Sequence, residues 1–186
     1  MPEAGEDSND RVAAWSQTVG RRDVGGHAGA TTHEPGGVGG KHDAAARGGS
    51  GIDWFNPDAR REMEWTRTAI SPATREGLAA LPERLTIEGH ELVHASPREP
   101  IWEYITDVDI AAANLDAFET RHCPFGHTHL PLLYRLHGDR MNVVTATPAK
   151  AITLDARRAL TNTGRVRHPS NGKPNDSFPV LDQTTG

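Results

Sequence analysis

The sequence predicts an α/β layered domain. Strand-like runs alternate with helical periodicities, tight glycine turns separate paired apolar runs, and histidines fall where strands give way to loops. At 186 residues the chain has room for one domain of ordinary size. Mean hydropathy is −0.60, polar enough that part of the chain is expected to stay outside a core.

That part is the N-terminal stretch. Residues 1–38 hold one weakly apolar patch, Val12–Trp15, with the character of a short helix, followed by closely spaced glycines. Too few side chains are available there to offset backbone ordering, so 1–38 is expected to be irregular or disordered. Residues 39–186 form the expected domain. Asn56-Pro57 reads as an N-cap followed by proline at the first helical position, and Ala59, Met63, Thr66 and Ile70 then make one stripe beside Trp65. Ser71-Pro72 repeats the signal for a second helix ending near Leu81-Pro82. Arg84–Ile87 and His90–His94 flank Glu88-Gly89 as two strands with a tight turn. Ile110, Ala113, Leu115 and Phe118 have helical spacing within 108–118. Cys123-Pro124-Phe125 leads into Gly126-His127-Thr128-His129, and Leu132–Leu136 and Met141–Val144 bracket a turn at His137-Gly138-Asp139. A last strand is expected at Phe178–Asp182.

Charge narrows the function. Lys+Arg 20 against Asp+Glu 25 gives a net charge of −5, which argues against an extended cationic nucleic-acid surface. Cys123 is the single cysteine, which excludes an intrachain disulfide and suits a reducing cytoplasm. The acidic first residues lack the pattern of a secretory signal, and no run of about eighteen apolar residues predicts a membrane span. Of ten histidines, His27, His33, His90, His122, His137 and His168 lie in polar or turn-like contexts and read as surface residues. His42, His94, His127 and His129 each border a short glycine-rich or apolar segment, as loops gathered at one end of a sheet do. His127 and His129, separated by one residue, have metal-ligand spacing.

Gly40-Lys41-His42-Asp43, Trp54-Phe55-Asn56-Pro57, Leu81-Pro82, Leu92-Val93-His94-Ala95-Ser96-Pro97 and Gly126-His127-Thr128-His129-Leu130-Pro131 occur in this order. In that order they resemble the calcineurin-like metallophosphoesterases, especially the small bacterial branch grouped with diadenosine tetraphosphatase-like and phosphodiesterase-like proteins. The resemblance covers about residues 38–144 and, more loosely, the tail. It implies an α-β-β-α arrangement, a β-sandwich flanked by helices, and metal-dependent hydrolysis of a phosphomonoester, phosphodiester or nucleotide. It also implies His94 and His127 as ligands of one divalent ion (Mn, Fe, Zn or Mg) and His129 as a ligand of a second. His42 is implied as the proton donor to the leaving oxygen and Asp43 as the residue that orients it. The substrate-binding residues and the oligomeric state are not legible. Tyr104, Trp102 and Phe55 read first as packing residues, although each could stack on a base.

The sequence also departs from that family. Its two early metal motifs, Gly-Asp-x-His and Gly-Asp, have no counterpart, so the fold is expected to be a partial sandwich without its N-terminal half. Lys41 stands where the family has a metal-binding Asn, and an ammonium offers only donors, so it is expected to be deprotonated or turned away. Asn162-Thr163-Gly164-Arg165-Val166-Arg167 matches the family's Asn-Pro-Gly-Ser-Val-Gly only in part. The expected metal content is therefore one ion or none rather than two. Three imidazoles with water could hold one Zn²⁺. The alternative to an impaired enzyme is an inactive homologue, acting as a binding module or without function.

Overall fold

A computed structural model describes residues 37–147, 152–162 and 164. The expectations for the Val12–Trp15 helix, for Phe178–Asp182 and for nearly all of 1–38 lie outside them, as do His27, His33 and His168. Helix α1 is Lys41–Ala46, α2 Pro57–Ala69, α3 Pro72–Ala80 and α4 Val108–Ala113, with 3-10 turns at Ile52–Trp54 and Leu115–Ala117. The strands are β1 Arg84–Ile87, β2 His90–Val93, β3 His122–Phe125, β4 Leu132–His137, β5 Arg140–Thr145 and β6 Ala159–Asn162.

The helix signals act as expected. Asn56 Oδ1 accepts from the amides of Asp58 (3.1 Å) and Ala59 (2.9 Å), and Ser71 Oγ accepts from Thr74 N at 3.1 Å. Met63, Thr66 and Ile70 turn the α2 stripe inward, while Trp65 stays exposed. Ile70 and Leu78 pack on Ala46 of α1. Two arginines tie this layer together. Arg67 donates to Ala45 O (2.7 Å) and Gly49 O (3.0 Å), and Arg75 to Ala46 O (3.1 Å) and Arg67 O (2.6 Å). They cap the C-terminal carbonyls of α1 and so fix the short helix that carries His42.

All six strands among the described residues join one mixed sheet in the order β1-β2-β3-β6-β4-β5. The β1–β2 turn places Glu88 and Gly89 at φ 50° and 79°, both left-handed, as a two-residue hairpin turn requires. β3 runs parallel to β2 and β6, whereas β4 is antiparallel to β6 and β5. The expected α/β layering is present, and the described part of the sandwich is this single sheet. Its core gathers Val93, Ile105, Ala111, Phe118, Cys123, Phe125, Tyr134 and Leu160.

Sequence reasoning missed β6, because Ala159-Leu160-Thr161-Asn162 is too short to show a period; pairing on both sides makes it a strand. The 108–118 helix is shorter than expected, since Asn114 ends α4 and a 3-10 turn follows. His122 is also not a surface residue. It sits on the interior strand β3, is 8 % exposed, stacks on His90 (centroids 5.4 Å apart, 17° between planes), and its Nε2 lies 2.9 Å from Asp155 O.

Candidate functional site

Two parallel strands end side by side and deliver two histidines to one point. Pro124 in β3 has no N–H to donate, and by strand alternation its nitrogen faces the same neighbour as Gly126 N, which is β2. Contact with the β2 end resumes where Gly126 N donates to His94 O at 3.0 Å. That bond holds the end of β2 against the loop after β3. His94 Nε2 and His127 Nδ1 then lie 3.0 Å apart, both side chains 3 % exposed.

The loop beyond is held in a demanding conformation. His127 and His129 adopt φ of 64° and 62°, the left-handed region that side chains other than glycine enter at a cost of about 1–2 kcal/mol. Asn162 at the end of β6 offsets this. Its Nδ2 donates to Gly126 O (2.8 Å) and Thr128 Oγ1 (2.6 Å). Sequence reasoning singled out Asn162 only as a loose tail match, and its role becomes visible once β6 is placed beside β3. Because of the left-handed turn, His127 is buried beside His94 while His129 lies exposed.

The segment after β2 forms the opposite wall. Ser96 Oγ donates to Glu103 Oε2 at 2.6 Å, Asn114 Nδ2 donates to the same oxygen at 2.9 Å, and Asn114 Oδ1 accepts from Arg98 N at 2.8 Å. Burial works against the Glu103 carboxylate, but hydrogen bonds from Arg98, Ser96 and Asn114 hold its pKa below the usual range. This network sets Trp102 and Tyr104 against His127. The Trp102 carbonyl lies 3.3 Å from His127 Nε2, and the Tyr104 ring lies 3.8 Å from the imidazole, centroid to centroid. With Nε2–H donating to that carbonyl, His127 Nδ1 carries the lone pair and His94 Nε2 supplies the proton between them.

The third wall is α1 with the turn after it. Asp43, third in α1, accepts from Gly40 N at 2.8 Å and thereby closes the helix start. His42 packs edge-on against Phe55 at 5.2 Å. Lys41 is not turned away from the corner: its Nζ donates to Tyr104 Oη at 2.7 Å and lies 5.6 Å from the Phe55 ring centroid. Burial, then the charges of Lys41 and His129, lower the His42 pKa to about 4. Burial and then Lys41 lower that of His127 to about 3, and burial with the neighbouring His127 pushes His94 well below its ordinary value. All three imidazoles are neutral at pH 7.

The structure thus brings His94 and His127 into contact and sets Lys41, His42 and His129 within electrostatic reach. Their fit to a metal is partial. Two ligand nitrogens on one ion, each bonded at about 2.0–2.1 Å, lie roughly 3 Å apart, as His94 and His127 do. An N–H held by a backbone carbonyl is also the usual outer partner of a ligating histidine. Yet among the described residues no group of three or more His, Cys, Asp or Glu is placed to hold a metal ion. The Lys41 ammonium beside the pair adds repulsion. The described residues supply two donors and do not complete a metal site.

Comparison with known proteins agrees with this architecture. No family model matches the chain. A solved metallophosphoesterase from Sphaerobacter thermophilus is similar over 79 % of this chain and 61 % of its own, at 34 % identity and a TM-score of 0.68. A hypothetical protein from Pyrococcus horikoshii OT3 shares the fold alone, with a TM-score of 0.51 at 15 % identity over 76 % of this chain and 55 % of its own. An uncharacterized protein from Methanocaldococcus jannaschii is 27 % identical over 150 residues, 77 % of this chain and 58 % of that protein. The chain therefore spans about three fifths of the length of the first relatives it matches. Among the described residues no helix is long and apolar enough to cross a membrane. What the sheet order, the histidine corner and these likenesses establish together is a metallophosphoesterase-like α/β fold.

Proposed function

We propose that the chain belongs to the calcineurin-like metallophosphoesterase superfamily, in its small bacterial branch, and acts in the cytoplasm on a phosphorylated small molecule or nucleotide by phosphoester hydrolysis. The observation that carries this is the buried His94–His127 contact at 3.0 Å, built at the ends of two parallel strands, in a fold similar to that of a solved metallophosphoesterase. A divalent ion, when bound, supplies a polarised phosphoryl oxygen and an activated water. His94 and His127 would hold it, as two of its donors. In this reading His42 donates a proton to the leaving oxygen. Its low pKa comes from burial and from neighbouring positive charge, and a bound phosphoester anion counters that charge and raises the pKa toward neutrality. Asp43, by closing the α1 start, keeps His42 in place.

The test is hydrolysis of p-nitrophenyl phosphate and bis(p-nitrophenyl) phosphate with added Mn²⁺, Fe²⁺, Zn²⁺ or Mg²⁺. The expected result is metal-dependent turnover that His42→Ala lowers by roughly 10²–10⁴-fold and that His94→Ala or His127→Ala abolishes. A sample with an intact melting transition and no turnover with any of the four ions overturns it. A second reading, a phosphoester-binding domain without catalysis, is favoured by one observation: among the described residues the two imidazoles gain no third ligand and face an ammonium. Metal analysis separates the two, since two ions per chain exclude the binding domain.

A further inference from the structure

The Lys41 ammonium has three N–H donors, and Tyr104 Oη takes one of them at 2.7 Å. Two remain for a ligand. Tyr104, accepting from Lys41, keeps its own hydroxyl proton to donate, and at 45 % exposure its ring stands at the mouth of the corner. The partly exposed His42 packs on the same Phe55 ring that the Lys41 Nζ approaches to 5.6 Å. The nearby Asp43 carboxylate is engaged by the Gly40 amide. Donors thus converge from α1 and from the wall after β2.

We propose that Lys41, with the Tyr104 hydroxyl and the imidazole of His42, forms a metal-independent site for a tetrahedral oxyanion, either inorganic phosphate or the phosphoryl group of a monoester. An ammonium, a phenol hydroxyl and an imidazole offer donors in several directions, which suits four oxygens better than the two of a planar carboxylate, and a charged donor strengthens each bond it makes. A fixed ammonium also does part of what a cation would do in that corner, neutralising the ligand's charge. The inference rests on reading this corner as a phosphate site and does not require hydrolysis.

The experiment is calorimetric titration of the full chain, freed of metal with EDTA, with inorganic phosphate, sulfate and acetate. Phosphate and sulfate are expected to bind and acetate to bind at least tenfold more weakly. Lys41→Met is expected to weaken phosphate at least tenfold, Lys41→Arg to retain most of the affinity, and Tyr104→Phe to weaken it severalfold. Unchanged affinity in Lys41→Met overturns the proposal, as does phosphate binding that appears only after Mn²⁺ is added. If Lys41→Met does not fold, Tyr104→Phe decides, and wild-type affinity in that variant overturns the proposal. Phosphate binding without any metal-dependent turnover leaves this site standing and removes the hydrolase reading; turnover without metal-free phosphate binding does the reverse.

Discussion

Gly40→Ala probes the histidine corner without touching a histidine. Gly40 sits at φ −110°, ψ −179°, extended backbone that alanine adopts freely, so the effect is steric. A Cβ there would stand 2.5 Å from His94 Cε1 and nearer still to Nδ1. Ordinary contact between such atoms is about 3.5 Å, so the ring must retreat by roughly 1 Å. Retreat toward His127 is blocked, because that nitrogen is already 3.0 Å away, and sideways movement breaks the bond between two buried groups. Overpacking costs about 1–3 kcal/mol and a buried unsatisfied group about 1–3 kcal/mol, while the stiffer unfolded chain returns about 0.4–1 kcal/mol. The net expectation is a loss of about 1–5.6 kcal/mol, a fall in Tm of roughly 2–22 °C for a chain of this size. Gly77→Ala is the control. It lies inside α3 with no heavy atom within 4 Å of the added methyl, so the substitution should stabilise by about 0.5–1 kcal/mol. The assay is a thermal melt of both variants, with imidazole ¹⁵N signals to follow the rings. Gly40→Ala melting at or above the wild-type temperature, with His94 and His127 signals unmoved, would refute the packing described for this corner.

Other perturbations reach the same architecture from different sides. In chelator-treated protein, His42, His94 and His127 all have pKa values below the unfolded value near 6.5. Their contribution to stability is therefore complete above about pH 6.5 and is lost as pH falls toward the folded values, about 4 for His42 and about 3 for His127. The decline is at most about 1.4 kcal/mol per pH unit for each histidine, less for the partly exposed His42. Equal urea midpoints at pH 7.5 and pH 5 would contradict it. Asn162→Ala removes both side-chain bonds that pin Gly126 and Thr128 and should cost about 1–3 kcal/mol. It should also lower turnover or phosphate affinity, and a melt shift with function unchanged would show that the loop holds itself. Asn114→Ala, at a position 0 % exposed, leaves Arg98 N and Glu103 short of a partner. Denaturant titration should show a loss of about 1–3 kcal/mol; a variant as stable as wild type would mean that the Ser96 and Arg98 bonds to Glu103 suffice.

How much of this was legible in the sequence follows the range of the forces involved. The caps at Asn56 and Ser71, the Met63–Ile70 stripe, the Glu88-Gly89 turn and the β4–β5 hairpin rest on interactions within a few residues, and sequence reasoning found each of them. It also singled out His42, His94, His127 and His129, because His94 ends a strand-like run, His127 and His129 share a turn, and His42 follows a glycine-rich segment. β6 escaped it, since four residues between loops become a strand only through partners at β3 and β4. The burial of His122 escaped for the same reason, because nothing local reveals that β3 is an interior strand.

The corner divides along the same line. By itself the sequence determined which side chains with useful chemistry exist, and that Lys41 stands beside His42 with a charge unsuited to metal binding. Only the tertiary structure decided that Gly126 N reaches His94 O, that His94 and His127 meet at 3.0 Å, and that Tyr104, 63 residues from Lys41, receives its ammonium. These contacts join segments tens of residues apart. Their geometry comes from sheet register and from packing of the whole core, which no local pattern encodes.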